Sequence, residues 1–324
     1  MNLRTLENLS LEIPQGRMTG ICGVSGSGKS TLALDLLVPA LEAQVKGKKT
    51  RTIKALSVDD PIAEVVVVDQ APIGTTPRSN PASYTHLWDH VRDLFADLPE
   101  SKLRGWGKYH FSFNGGTGRC PVCEGRGFTE LQMHFLSDVW VRCEACNGRR
   151  FPEKTLEVKF RGKSVSDILE MRVDQALPFF SFHKKAKKIL EVLDSLGLGY
   201  LRLGQAATQL SGGEAQRLKI AEELARNRRG RALYLLDEPT TGLHLCDVQL
   251  LVQALSKLVD RGDTVVVVEH QLDLLDSCDW LLELGPGGGP AGGKLLYQGP
   301  PTALSAKTPT GKALSNYRKS FGKK

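Results

Sequence analysis

At 324 residues, with 41% hydrophobic and 24% charged side chains, the chain can hold one large domain or two ordinary ones with a real core. Its formal charge of +7 favours a polyanionic partner only weakly. No apolar run approaches the ~20 residues that span a bilayer, and the start, Met1-Asn2-Leu3-Arg4-Thr5-Leu6-Glu7, lacks the apolar core of a signal peptide. A cytoplasmic protein with no membrane partner is expected. In that compartment seven cysteines point to metal binding or packing rather than to disulfides.

Residues 3–13 alternate loosely and read as a strand closed by the turn Pro14-Gln15-Gly16. Met18 to Cys22 is a short apolar strand that delivers the chain into Gly23-Val24-Ser25-Gly26-Ser27-Gly28-Lys29-Ser30, and a helix is expected from Thr31 to Leu41. Strand, glycine loop and helix in that order define a P-loop. Backbone amides around Gly23, Ser25, Gly26 and Gly28 would cradle phosphates, with Thr31 at the helix start. Lys29 would reach the outer two phosphates, and the Ser30 hydroxyl would ligate Mg²⁺. After a basic, polar loop at 44–54, Glu64-Val65-Val66-Val67-Val68-Asp69 is unbroken and β-branched, as expected for a parallel strand buried on both faces. Gln70 follows it, where α/β sheets keep their ligands.

Thr85 to Leu98 has helical spacing. Residues 101–163 then hold twelve Lys and Arg against six Asp and Glu, with four of the seven cysteines. Cys120-Pro121-Val122-Cys123 and Cys143-Glu144-Ala145-Cys146 stand nineteen residues apart, each pair followed by glycine at the same offset, Gly125 and Gly148. That spacing suits one closed, structural Zn²⁺. Four thiolates on Zn²⁺ leave a formal −2, so positive surface must come from Arg119, Arg126, Arg142, Arg149 and Arg150. With Trp106, Tyr109, Phe111, Phe113 and Phe128 interleaved, they read as a basic, aromatic surface suited to nucleic acid. Cys22, Cys246 and Cys278 have no partner spacing and read as packed thiols.

A helical return covers about Ser164 to Leu196 and includes the basic run His183 to Lys188, a solvated face or a nucleic-acid contact. Leu210-Ser211-Gly212-Gly213-Glu214-Ala215-Gln216 leads into a second helix. The helix N-terminus and its two glycines suit an anion. Ala232 to Glu238 is a buried strand ending in two acids, Asp247 to Val259 a helix, and Thr264 to His270 another buried strand. The glycine-rich hairpin Gly285 to Gly293 closes the domain. Strands alternating with helices give a doubly wound α/β fold. Asp237 is placed to hold Mg²⁺, directly or through water. Glu238 is the base or orienter of an attacking water, His270 a γ-phosphate sensor, and Gln70 a link from metal and water to the segment after it.

The P-loop, Gln70, Leu210–Gln216, Leu235-Leu236-Asp237-Glu238-Pro239-Thr240-Thr241 and His270 together resemble the ATP-binding cassette (ABC) ATPases. The resemblance implies ATP and Mg²⁺ as ligands. It also implies that Ser211, Gly212, Gly213 and Gln216 serve a nucleotide held by the opposite cassette of a head-to-tail pair. Phe111-Ser112-Phe113-Asn114, Gly118-Arg119-Cys120, Met133-His134-Phe135-Leu136, Thr155-Leu156-Glu157-Val158 and Thr76-Pro77-Arg78-Ser79-Asn80-Pro81 narrow it further. With the zinc insert, they look like the carboxyl-terminal half of the UvrA family, damage sensors of bacterial nucleotide excision repair.

That likeness, spanning residues 2 to about 304, implies an ABC-type P-loop core with a zinc-containing, mainly helical insertion. Residues 1–83 and 201–304 would form the core, 84–200 the insertion (zinc module about 101–163), and 305–324 a basic tail. It implies ATP hydrolysis coupled to binding of damaged double-stranded DNA, and loading of a UvrB-like subunit, with incision left to other proteins. Where the family has two cassettes this chain has one. The second would be another copy or a missing amino-terminal half, and Met1 falls almost at the first strand, as if a segment preceded it. The loop Asn114-Gly115-Gly116-Thr117 has no basic residue where the family commonly has one. Two alternatives stay open: a UvrA-like drug-resistance protein that removes DNA-bound compounds, and a nucleic-acid-binding zinc module with an inactive nucleotide site.

Overall fold

The computed structural model describes residues 6, 9–48, 53–131, 139–226 and 228–320. The motif Met133-His134-Phe135-Leu136 therefore lies outside the described residues. In chain order the elements are β1 (Met18–Gly23), a π-helical stretch (Thr31–Leu37) continuing as α1 (Val38–Val45), and β2 (Ile62–Val68). Next come α2 (Pro81–Tyr84), α3 (Leu87–Ala96), α4 (Pro99–Leu103), β3 (Phe128–Leu131), β4 (Val139–Arg142) and α5 (Glu153–Leu156). Then follow α6 (Val165–Glu170), α7 (Val173–Phe179), α8 (Lys184–Ser195), α9 (Gly212–Ala225), β5 (Arg231–Asp237) and α10 (Leu245–Asp260). The chain closes with β6 (Thr264–Val268), α11 (Leu272–Asp276), β7 (Trp280–Gly285), β8 (Lys294–Gly299) and α12 (Pro309–Ser320). Two compact units result: Met1–Gln70 with Asn227–Lys324, and Ala71–Arg226.

The first unit carries a sheet in the order β2-β5-β6-β1-β7-β8, parallel except for the antiparallel β7–β8 hairpin. The β-branched runs explain the sheet: Val265 to Val268 are all buried, and Leu235, Val266, Ile21 and Leu282 from neighbouring strands share one core with Leu32, Ala33 and Leu37. Two expectations need correcting. β2 is parallel but forms the edge of the sheet, and only Val68 in it is fully buried. Its valine run therefore covers one face and an edge instead of filling an interior strand. The strand expected over 3–13 has no counterpart in residues 9–13, which carry no sheet pairing; residues 1–5, 7 and 8 lie outside the described residues. Leu9, Leu11 and Ile13 instead lay their side chains on the core from an extended segment.

The second unit is mainly helical. Trp88 anchors it: its indole N–H donates to the Phe111 carbonyl at 3.2 Å, and its ring lies 5.2 Å from that of Phe113. The helical return expected over Ser164–Leu196 is three helices, broken where Arg172 is extended and again after Phe179, with Pro178 inside the last turn of α7. A capping box between Ser164 and Asp167 starts α6. Arg150 pins this unit together. It is 5% exposed, and its guanidinium donates to the carbonyls of Pro77 (3.1 Å), Gly125 (3.4 Å) and Gly204 (3.0 Å) while lying over the Phe113 ring. Burial pulls its pKa down to about 10, against the opposing pull of Cys123, Glu170 and Cys146, so it stays charged at neutral pH. Arg150→Met, which keeps the apolar stem and removes the fork, is expected to cost about 3 kcal/mol of stability by urea denaturation.

Candidate functional site

Parallel pairing sends β1, β2, β5 and β6 out at the same edge of the sheet, so the residues after each strand converge there. The P-loop follows β1. Gly23 (φ 135°) passes so close to β7 that a Cβ there would lie 2.0 Å from the Leu284 carbonyl, which makes glycine obligatory. The Lys29 ammonium reaches back across the loop to the carbonyls of Gly23 (3.0 Å) and Val24 (3.1 Å).

Sequence reasoning missed what supports this loop from behind. The glycine-rich β7–β8 connection donates from Gly289 N–H to the Gly26 carbonyl and from Gly293 N–H to the Ser27 carbonyl, each at 3.0 Å. A Cβ on Gly288 would meet the Ser25 carbonyl at 2.6 Å, so the glycines there serve close packing on the P-loop. Their abundance in Gly285–Gly293 was the available signal, but it reads equally well as a loose turn.

After β2, the Gln70 side-chain amide donates to the backbone carbonyl of Glu238 at 3.2 Å. Glu238 follows β5 with φ 44°, a left-handed conformation uncommon for a residue with a Cβ, and its N–H donates to the Val268 carbonyl at 2.9 Å. His270 Nδ1 lies 4.0 Å from Glu238 Oε1, with both side chains open to solvent. Beneath them Glu269 is fully buried, and it accepts hydrogen bonds from Thr240, His270 and Gln271. The geometry thus brings Lys29, Gln70, Asp237, Glu238 and His270 together at one strand edge.

The Asp237 carboxyl is held above the usual carboxylate range, chiefly by burial and then by Glu238, with Lys29 opposing. Its folded-state pKa exceeds the unfolded one, so ionisation works against folding. That penalty is absent below the unfolded pKa and complete above the folded one.

In the second unit Ser211 caps α9 reciprocally. Its hydroxyl accepts from Glu214 N–H at 3.3 Å, and its own N–H donates to Glu214 Oε2 at 2.7 Å. Gly212 and Gly213 occupy the first turn of this helix, where backbone N–H groups point outward. Gln216, grouped with the motif on sequence, is only 1% exposed because it falls on the inner face of α9.

Cys120, Cys123, Cys143 and Cys146 are buried, with their sulfurs all within 4.8 Å of one another. The Cys123–Cys146 separation is 3.7 Å. A tetrahedral Zn²⁺ with bonds of about 2.3 Å asks for sulfurs about 3.8 Å apart, so the four fit it. Both turns use the same device: Glu124-Gly125 and Asn147-Gly148 all have positive φ, and Gly127 N–H donates to the Cys123 sulfur at 3.3 Å. Burial pushes the Cys123 and Cys146 thiols up. Burial acts on Cys143 in the same sense, but hydrogen bonds from the Cys146 backbone and from the Cys146 and Cys123 side chains outweigh it and hold its thiol below the ordinary range. Metal uptake must displace these protons.

The basic surface read from sequence is smaller than expected. Arg119, Arg126, Arg142 and Arg149 reach solvent, but Arg150 is the internal pin described above. Phe111 and Phe113 are core residues: Phe111 packs against Phe95 and Phe113 against Trp88. Cys22 and Cys278 are packed as expected, whereas Cys246, in the first turn of α10, is exposed.

A mixed, mostly parallel sheet with a P-loop, strand-end acids and a histidine defines an ABC-type ATPase. The family described as "ABC transporter" matches residues 6–116 and 127–241, and the chain belongs to the ATP-binding cassette family. Among the described residues no helix is long and apolar enough to cross a membrane.

The chain's particular likeness is to UvrABC system protein A. It is 48% identical to that protein of Aquifex aeolicus over 318 residues (97% of this chain, 34% of the relative). It is 49% identical to that of Thermus thermophilus over 313 residues, covering 96% of this chain and 33% of the relative. The crystal structure of UvrA2 from Deinococcus radiodurans superposes with a TM-score of 0.90 at 47% identity, covering 97% of this chain and 38% of that one. The chain therefore spans about a third of the length of the relatives it matches.

Two measurements check the site. Purified chain is expected to carry one zinc by metal analysis, to lose it in Cys123→Ser, and to bind it more weakly as pH falls and the thiolates protonate. Asp237→Asn is expected to raise the melting temperature of the nucleotide-free chain at neutral pH. That gain should vanish at acid pH, where Asp237 is itself neutral, and thermal melts at both pH values decide it.

Proposed function

We propose that the chain is an ATP-hydrolysing cassette of a UvrA-type damage sensor, which couples nucleotide turnover to recognition of distorted double-stranded DNA. One observation carries the reading: phosphate-handling residues gathered at one strand edge share a chain with a four-cysteine cluster able to hold a metal ion, in a sequence 48% identical to UvrABC system protein A.

The P-loop amides and Lys29 bind the phosphates, and Ser30 and Asp237 would hold a Mg²⁺ ion, which would supply neutralisation of developing phosphoryl charge. Glu238 orients the attacking water and takes up its proton. His270 contacts the γ-phosphate from the neighbouring strand end, and Gln70 reports the state of the site to the segment after it. Ser211, Gly212 and Gly213 present the α9 N-terminus to nucleotide on a second cassette, either another copy or a further part of a longer protein. Zn²⁺ is structural. Arg119, Arg126, Arg142 and Arg149 are the DNA-facing candidates. A UvrB-like subunit is the expected recipient of the damaged site, the chain does not cut DNA, and its setting is the cytoplasm.

Glu238→Gln is expected to keep ATP affinity and to lower turnover by about 10²–10³-fold, read by phosphate release with a partner cassette present. Binding in ATP and Mg²⁺ is expected to favour lesion-bearing over undamaged duplex in competition titrations. Equal affinity for the two duplexes would remove the damage-sensing part of the proposal.

A further inference from the structure

Glu269 stands out among the charged groups of the first unit because it is fully buried yet occupies the ligand edge of the sheet. Its backbone N–H continues the β6 ladder to the Ile21 carbonyl at 3.0 Å. Oε1 accepts from Thr240 N–H at 2.9 Å and from the Thr240 hydroxyl. Oε2 accepts from the N–H groups of His270 (2.7 Å) and Gln271 (2.9 Å). Four donors from two different loops thus meet one carboxylate: the loop that carries Glu238, and the loop that carries His270. Only an acceptor-only group can satisfy all four, because an amide brings donors of its own. Charge-assisted bonds of this kind are about twice as strong as neutral ones.

We propose that Glu269 is a positioning residue for ATP hydrolysis, a carboxylate clamp that sets the separation between Glu238 and His270. Fully buried, it acts through the two loops it joins rather than on the reacting atoms. The inference rests on the ATPase reading above and deepens it. Glu238 and His270 both have solvent-open side chains; the Thr241 hydroxyl lies 3.5 Å from Glu238 Oε2 and Glu269 Oε2 lies 3.8 Å from His270 Nδ1, so the 4.0 Å between them follows chiefly from where their backbones are held. Those backbones are tied to each other through Glu269, and through Glu238 N–H to the Val268 carbonyl at 2.9 Å.

Glu269→Gln tests the clamp with minimal change of volume. Its amide can keep the His270 and Gln271 bonds by turning its NH₂ toward the Thr240 hydroxyl, which then accepts, and the Thr240 N–H is left unpaired. Thr240→Val is the second variant: it removes the hydroxyl while Glu269 stays, and Thr240→Ser is its conservative rescue. Both Glu269→Gln and Thr240→Val are expected to lower kcat, by up to about 10²-fold for Glu269→Gln, with KM for ATP little changed. Thr240→Ser is expected to restore turnover.

Hydrogen exchange supplies a readout independent of turnover. The Thr240 amide is expected to exchange about tenfold faster in Glu269→Gln, while the amides of β5 and β6 keep their protection. Unchanged kcat in Glu269→Gln alongside an active wild type overturns this inference alone. So does general loss of β5 and β6 protection in both variants, which would mark Glu269 as merely structural. A wild type that turns over no ATP, even with a second cassette, overturns the ATPase reading and the catalytic role of the clamp with it; exchange still shows whether the two loops are joined.

Discussion

Because β1, β2, β5 and β6 pair in parallel, the loops that carry the first unit's phosphate-handling residues emerge at the same edge of the sheet. The P-loop, Gln70, the acids Asp237 and Glu238, and His270 are far apart in sequence, and nothing local draws them together. The ladder register does so: Asp237 pairs with Val268, and Ile21 with Val268 from the other side, so β5 and β6 end level and β1 runs on to Gly23, where the P-loop begins. Hydrogen bonds across those ends then trim the site: Glu238 N–H to the Val268 carbonyl, Glu269 N–H to the Ile21 carbonyl, and the Gln70 side-chain amide to the Glu238 carbonyl. A site built this way depends on sheet register more than on any single side chain. That suits a reaction in which positioning and charge stabilisation carry the catalysis.

The second unit follows a different logic. Among its described residues the sheet is the β3–β4 hairpin, with two isolated bridges besides. Its order comes instead from an aromatic core around Trp88 and from polar pins into loops. The cysteine turns are part of that order: the Gly125 carbonyl of the first turn and the Gly204 carbonyl, before the Ser211 cap, share the Arg150 guanidinium. Arg78 adds a surface tie to Glu124 in the same turn at 2.9 Å. The cysteine cluster is thereby connected, through one buried cation, to the segment that leads into α9. A second cation pins that helix: Lys219 Nζ donates to the Ala71 carbonyl at 2.8 Å.

Much of this was legible in the residues themselves. The P-loop, the two cysteine pairs with their glycines, the strand-end acids and the Ser211 cap are local patterns, each confined to a few residues whose chemistry demands those side chains. Reading failed where a residue's role depends on what packs against it. Arg150 looks like its neighbour Arg149, yet one is internal and the other reaches solvent, because the turn after Gly148 aims successive side chains in opposite directions. Phe111 and Phe113 read as a stacking surface and are core. The β2 valines read as an interior strand and form an edge. Gly288 and Gly293 read as a loose hairpin, and their close approach to Gly26 and Ser27 appears only when β7 is laid beside β1.

The sequence by itself determined the candidate ligand chemistry: a glycine-rich P-loop, strand-end acids and four cysteines at metal-ligand spacing, since these depend on residue type and short-range order. Only the tertiary structure decided which charges stay buried and what they hold. Arg150 and Glu269 are ordinary ionisable residues until folding removes their water and supplies three carbonyls to one and four donors to the other. Desolvation is paid back only by partners from distant loops, and no pattern along the chain records where those loops will meet.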